Sequence, residues 1–215
     1  MGTVKRAYGR EDKEARREVI LAAATELFEQ GQGELPSVVE IATAAGLAKG
    51  TVYLYFRTKE TIFATLLLNG WRKVFDLLEQ TLSPDTTDKQ DTVEAFLHAY
   101  VEYLNNHREL LMLDALRSMV EHNLKEEIRI DLKQTFDGWL NNSGALIDRE
   151  IGLSPGRGLK ILTRTYALTV GLWKAFGSGR SVEVSAKTSA FYPDFIEELS
   201  EALVEYWRGA LGSSR

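Results

Sequence analysis

Apolar side chains recur at intervals of three and four residues almost from end to end of this chain, and that periodicity leaves room for little except packed helices. Ile20, Ala23, Ala24, Leu27 and Phe28 form one stripe, closed by Gly31 and Gly33, over a helix at about 12–30. Phe63, Leu66, Leu67, Gly70, Trp71, Val74, Phe75 and Leu78 form a longer one between Thr58 and Ser83-Pro84. Further stripes predict helices at about 89–106 and 108–122, one from Ile128 to Ile147 that stops by Gly152, another after Ser154-Pro155, and a last at about 193–211. The run at 108–122 is apolar nearly all round and is expected to lie inside. GSGRS at 177–181 opens a polar loop, and only VEVS at 182–185 alternates as a strand would. The expected fold class is all-α, with about nine helices.

Composition narrows the function classes. The chain has 215 residues, enough for one large or two modest domains with a proper core. Hydrophobic residues make up 44% and charged residues 27%, the balance of an ordinary globular protein. Cysteine is absent, which excludes disulfides, thiolate catalysis and zinc–cysteine sites. No apolar run approaches the length of a membrane span, and the polar, basic start MGTVKRAYGREDKEARR has no signal-peptide core behind it. A soluble cytoplasmic protein is expected. There is no P-loop, nucleophile elbow, HExxH or strand-following G-x-G-x-x-G, and acid pairs such as Glu126-Glu127 fall on charged helix faces. No catalysis, metal site or cofactor is expected. The net charge of −5 speaks against nucleic acid until it is mapped: residues 1–60 hold nine basic and nine acidic side chains, the rest seventeen and twenty-two. An acidic total therefore leaves room for a DNA-contacting end, because phosphate contacts depend on one local face.

At that end lies AAGLAKGTVYLYF, Ala44 to Phe56. Just before it, Ser37-Val-Val-Glu40 reads as a capping box opening a helix at about 38–44. Gly46 stops that helix and a second covers about 48–54; two short helices around a tight glycine turn are the helix-turn-helix signature. In the second helix Val52 and Phe56, four apart, point to the core. Lys49, Thr51, Tyr53 and Tyr55 keep their polar atoms away from it, where they suit phosphate oxygens and base edges. Gly50 lets a sugar-phosphate chain come close. Spacing alone equally admits a helical hairpin whose aromatics are simply core.

The segment Ile20 to Leu67 resembles the DNA-binding domain of the tetracycline-repressor (TetR) family. The likeness rests on four blocks in order: IL-x-AA-x-ELF, S-V-x-x-IA-x-x-AG, KGT-x-Y-x-YF, and the KE that opens the next helix. It implies a DNA-binding domain at 1–58, including a basic N-terminal arm, and a helical effector-binding and dimerisation domain at 59–215. Such a homodimeric transcriptional regulator would repress from a palindromic double-stranded DNA operator until a small apolar or aromatic effector releases it. The resemblance also implies roles. Ser37 would cap its helix and touch a phosphate, Lys49, Gly50, Thr51 and Tyr53 would approach base edges or backbone, and Tyr55 and Lys59 would hold phosphates. Three residues depart from the family pattern. Ala48 replaces a capping residue, a loss of ~1 kcal/mol. Val39 stands where a polar base reader is common, and Leu54 where a polar or aromatic residue is frequent. These leave Lys49 as the main base reader and add apolar surface that could meet thymine methyls. They also keep open a second reading, a helical ligand-binding or scaffold dimer without specific DNA recognition.

The arm carries Lys5, Arg6, Arg10, Lys13, Arg16 and Arg17, with Arg16 and Arg17 as the expected DNA contacts. The alternative is a solvated tail interleaved with Glu11, Asp12, Glu14 and Glu18. Near the other end Ala167, Gly171 and Ala175 form a small stripe, and the last helix has a continuous apolar face that includes Leu199, Leu203 and Tyr206. The resemblance implies a dimer interface there; the alternative is the chain's own core. Trp71, Phe75, Phe96, Tyr100, Tyr103, Phe136, Trp139 and Tyr166 are the expected effector-pocket residues, or else packed core.

Overall fold

The computed structural model describes residues 2–82, 89–177 and 194–212, with side chains from residue 12 onward except at 89 and 90. The expected stop at Ser83-Pro84, the loop beyond Gly177, the VEVS segment and the side chains of Lys5, Arg6 and Arg10 lie outside the described residues. Ten α-helices follow one another among those described: α1 (Gly2–Gln30), α2 (Val38–Ala44), α3 (Lys49–Tyr55), α4 (Lys59–Thr81), α5 (Lys89–Asn106), α6 (Arg108–Ala115), α7 (Arg117–His122), α8 (Glu126–Ile151), α9 (Arg157–Leu172) and α10 (Phe195–Gly212). A π-helical turn, Trp173–Gly177, continues α9. No strand occurs among the described residues, and no described helix is long and apolar enough to cross a membrane.

Two elements differ from the sequence expectation. Helix α1 begins at Gly2, so the basic arm is a helical extension rather than a frayed tail. The single helix expected at 108–122 breaks at Leu116 (φ −95°, ψ 2°), which raises the count from nine to ten. Its expected all-round burial also fails, because Ala115 and Met119 are exposed. The break brings the Arg117 guanidinium back onto Asp114, to which it donates at 3.0 Å.

One core joins α1, α2 and α3 to the start of α4. Ile20, Ala24, Phe28, Ile41, Val52 and Phe56 are buried there with Ile62 and Phe63, and the Phe28 and Phe63 rings lie 5.9 Å apart. Helix α4 then runs unbroken into a second core, burying Leu67, Trp71, Val74, Phe75 and Leu78 against α5 and α8. Around α9 and α10 two buried hydrogen bonds tie this core together, while the buried Tyr206 hydroxyl on α10 has no partner among the described residues. The Trp207 indole N–H donates to Thr165 Oγ1 at 2.9 Å, and the Tyr100 hydroxyl bonds that of Thr169 at 2.8 Å.

Helices α8 and α9 approach most closely where two glycines meet. Gly152 (φ 77°) ends α8, and the Asp148 carboxylate accepts the N–H groups of Gly156 and Gly158 at 2.6 Å each, tying the turn to the first residues of α9. A Cβ at Gly158 would run into the Gly144 carbonyl oxygen and lie 2.9 Å from Ile147 Cβ, with backbone unable to yield on one side. Gly158→Val is therefore expected to cost about 1–3 kcal/mol, read as a lower denaturant midpoint. Gly138→Ala, in the same α8 but with open space around the added carbon, is expected to stabilise by about 0.5–1 kcal/mol. Equal effects of the two would mean the crossing is looser than its geometry.

Burial also acts on three phenols. It pushes Tyr100 and Tyr166 well above the usual tyrosine value of 10 and Tyr103 up to about 12. Below pH 10 these groups are protonated folded or unfolded, and stability does not depend on them. As pH rises from 10 toward 12 the unfolded chain ionises while the folded one resists, so stability is lost in that window. Ultraviolet titration should show these tyrosines ionising only as the chain unfolds; smooth ionisation of all tyrosines near pH 10 in the folded chain would contradict it.

Candidate functional site

Local hydrogen bonds build the α2–α3 unit. The Ser37 Oγ accepts the Glu40 N–H at 3.3 Å and Glu40 Oε2 accepts the Ser37 N–H at 2.7 Å, a closed capping box. Those bonds from Ser37 hold the Glu40 carboxyl below its ordinary value. At the other end of α2, Gly46 (φ 65°) donates to the Thr43 carbonyl at 3.1 Å and Leu47 to that of Ala42 at 2.9 Å. This is the Schellman pairing, and it needs a left-handed residue at position 46. Leu47 packs, half-buried, against the core. The chain then enters α3 at Ala48, which has no side-chain cap. At its far end Thr58 caps α4, its Oγ1 accepting the Thr61 N–H at 3.2 Å.

The two faces of α3 separate cleanly. Val52 and Phe56 are fully buried. Lys49, Gly50, Tyr53 and Leu54 are exposed, Leu54 by 80% of its surface, and nothing lies within 4 Å of a Cβ placed on Gly50. Lys49 Nζ sits 5.9 Å from the Tyr53 ring centroid, a loose cation–π contact. Thr51, Tyr55 and Lys59 are half-buried, with Tyr55 packed against the core. Ser37, the cap of α2, and Val39 within it are exposed.

Arg16 is exposed on α1, but Arg17 is turned to another use. Its guanidinium lies 4.6 Å from the Phe56 ring centroid and reaches Thr65 Oγ1 at 3.5 Å, bridging α1, α3 and α4. A flat cation half-buried on an aromatic face is part of the domain's packing, and the 35% of its side chain left in solvent is what remains for the expected DNA contact. Arg57, between the buried Phe56 and the cap Thr58, is a further exposed cation just after α3.

The aromatic residues expected to line one pocket fill space instead. Trp71–Tyr166, Phe75–Phe136 and Trp71–Phe136 pack edge to face at 5.2, 5.6 and 6.4 Å, and the gap left between them and Phe96 and Tyr100 is about 30 Å³. Tyr103 faces a different cleft beside His107, and Trp139 covers Phe75 with Arg72 stacked at 5.3 Å. Only Trp71 and Phe136 also border a larger cavity of about 560 Å³, between α4, α7 and α8. Its walls include Leu67, Leu68, Val120 and Ile130, with Arg117, Arg129, Lys133, Glu121 and Asp137 as the polar groups. That size is ordinary for a small-molecule site.

Behind the cavity sits a buried polar node. Asp114, 5% exposed, accepts from Trp71 Nε1 at 2.6 Å, from the Tyr166 hydroxyl at 2.9 Å and from Arg117 at 3.0 Å, joining α4, α9 and α7. Arg117 also lies over the Phe136 and Tyr166 rings, and Asp114 raises its pKa against the opposing effect of burial. The sequence signal was there: an acid inside the apolar run LLMLDAL must find partners.

The dimer residues divide. Ala167, Gly171 and Ala175 are exposed along α9 and its π-helical extension, and Tyr206 is half-buried. Leu199 and Leu203 are completely inside the subunit, so they serve its own core and no second copy can touch them.

Residues 20–66 match the family described as bacterial regulatory proteins, tetR family, and residues 68–214 match the tetracyclin repressor-like C-terminal domain. The uncharacterised HTH-type transcriptional regulator YdgC of Bacillus subtilis is 27% identical over 127 residues, 58% of this chain and 65% of that protein. The match thus spans less than two thirds of the length of this relative, and 61% and 59% of two others, the Bacillus subtilis fatty acid metabolism regulator and EthR of Mycobacterium tuberculosis. Among solved structures, the fatty acid degradation regulator FadR of Bacillus halodurans superposes with a TM-score of 0.61 at 19% identity, covering 93% of this chain and 96% of that one. FadR of Bacillus subtilis, solved in complex with stearoyl-CoA, gives 0.59 at 21% identity, covering 92% and 98%. With one family description meeting the helix-turn-helix and its companion meeting the helical body behind it, this chain belongs to the tetracycline repressor (tetR) family of bacterial regulatory proteins.

Proposed function

We propose that the chain is a cytoplasmic, homodimeric transcriptional repressor that holds a palindromic DNA operator and leaves it when a small apolar or aromatic molecule binds. The observation that carries this reading is the outward face of α3, where Lys49, Gly50, Tyr53 and Leu54 stand free of the fold that positions them. In this reading residues 1–58 are the DNA-binding unit and 59–215 the effector and dimerisation unit. Lys49 and Tyr53 meet base edges, Ser37, Thr51, Tyr55, Lys59 and Arg16 meet backbone, and Gly50 allows the close approach. Two copies join through the exposed stripe Ala167, Gly171 and Ala175 together with Tyr206. That arrangement sets the paired recognition helices roughly 34–36 Å apart, one turn of DNA.

The effector occupies the cavity between α4, α7 and α8, beside Trp71 and Phe136. The stearoyl-CoA complex of the Bacillus subtilis relative supports an apolar occupant. Helix α4 links the two sites without interruption, with Ile62 and Phe63 in the DNA-binding core and Trp71 at the cavity. A molecule that tilts α4 through Trp71 changes the spacing of the recognition helices. It releases DNA only to the extent that it binds the splayed state better, and DNA weakens the effector by the same factor.

The test is selection of oligonucleotides from a random pool by the purified chain, followed by binding to the winner with and without stearoyl-CoA. Enrichment of one inverted repeat and its release by the ligand support both halves. No enrichment removes the DNA reading. Enrichment with no response to stearoyl-CoA or to other apolar probes of the cavity removes the switch and leaves the reader.

A further inference from the structure

We infer that α3 reads methyl groups: each operator half-site carries thymine where Leu54 of α3 meets the major groove, with the exposed Val39 of α2 as a second apolar contact. This deepens the DNA-binding reading above and rests on it. Six large hydrophobic side chains are exposed among the described residues, and three of them, Val39, Tyr53 and Leu54, belong to the helix-turn-helix. Leu54 is the most exposed of the six at 80%. Folding does not use it, since Val52 and Phe56 on the opposite side fill the core completely. Nor does the helix hold many alternatives for reading a base. Thr51 is half-buried and Gly50 has no side chain, so Lys49 and the Tyr53 hydroxyl are the exposed donors of α3.

The surroundings of this apolar patch define what covers it. Lys49, Arg57 and Lys59 all lie within five residues of Leu54 along the chain, Lys49 and Arg57 exposed, so its occupant is a polyanion with an apolar group in reach. Duplex DNA fits that description through one feature of the major groove, the C5-methyl of thymine, which leucine and valine side chains can cover without a hydrogen bond.

The experiment replaces each thymine of the selected operator in turn with deoxyuridine, which deletes the methyl and leaves every hydrogen-bonding group in place. For the wild-type chain, one or two positions per half-site should lose roughly 4-fold in affinity, and roughly 15-fold when both half-sites are changed, the value of burying one methyl-sized group. Leu54→Ala should bind the thymine operator with a comparable loss and no longer distinguish it from the deoxyuridine version. Because Leu54 is exposed, its thermal unfolding should match wild type, which separates contact from folding. Val39→Ala is the parallel test for positions insensitive to Leu54. Deoxyuridine binding as well as thymine at every position, or discrimination that survives Leu54→Ala and Val39→Ala together, overturns the inference while leaving the DNA reader intact. A chain that selects no sequence at all overturns the DNA reading and this inference with it.

Discussion

Replacing Asp114 with alanine costs the folded chain about 3–5 kcal/mol, the usual loss when one partner of a buried charge pair is removed. Three donors lose their acceptor at once: the Trp71 indole at 2.6 Å, the Tyr166 hydroxyl at 2.9 Å and the Arg117 guanidinium at 3.0 Å. The guanidinium is the costly one. It lies between the Phe136 and Tyr166 rings, and its only other carboxylate among the described residues, that of Glu121, is 4.0 Å away. Arg117 keeps about a quarter of its side chain in solvent, which favours the lower half of the range. Even so, the loss is a large share of a typical domain stability of about 5–15 kcal/mol. Asp114→Asn keeps an oxygen acceptor and should cost less; Trp71→Phe, which removes one hydrogen bond, less again. Urea unfolding followed by circular dichroism gives the order directly. A loss for Asp114→Ala smaller than that for Trp71→Phe would mean that water, not the protein, satisfies the carboxylate.

The node also marks where sequence reading stops. The capping box at Ser37 and Glu40, the glycine turn at 46 and the division of α3 into two faces were legible because each depends on residues a few positions apart. Asp114 finds Trp71 and Tyr166 at separations of 43 and 52 residues, and no local pattern encodes that meeting. The break at Leu116 went unseen for the same reason: an apolar run predicts a straight buried helix, whereas the fold brings Arg117 back to the acid. Periodicity says which side of a helix is buried but not whether the buried rings stack or leave a hollow. Trp71, Phe75, Phe136 and Tyr166 read as pocket or, more readily, as packing, and the structure stacks them. Leu199 and Leu203 failed similarly, since an apolar stripe does not say whether its own chain or a second one covers it. Arg17 and Phe56 meet across 39 residues, so a basic side chain in a basic arm gave no hint of its stacking partner.

Lys49→Ala separates two ways in which the proposed reader could hold DNA. If the ammonium bonds guanine O6 or N7, the specific operator loses about 1–3 kcal/mol per half-site, and a symmetric dimer loses it twice. That is roughly 30-fold to 10⁴-fold in affinity, confined to the selected sequence. If the ammonium only meets a phosphate, random and selected duplexes weaken alike, and the salt dependence of binding falls by about one unit for each contact removed. The free chain favours the first outcome. Lys49 is exposed at the start of α3, its Nζ lies 5.9 Å from the Tyr53 ring centroid, and no ion pair holds it among the described residues, so the side chain is at liberty to reach a base. Folding should not confuse the result, because the position is solvent-facing and alanine is the better helix former. Fluorescence anisotropy on the selected and a scrambled duplex, each at several salt concentrations, distinguishes the two. Unchanged affinity for both would take Lys49 off the DNA altogether and leave recognition to Tyr53 and the apolar pair, Val39 and Leu54.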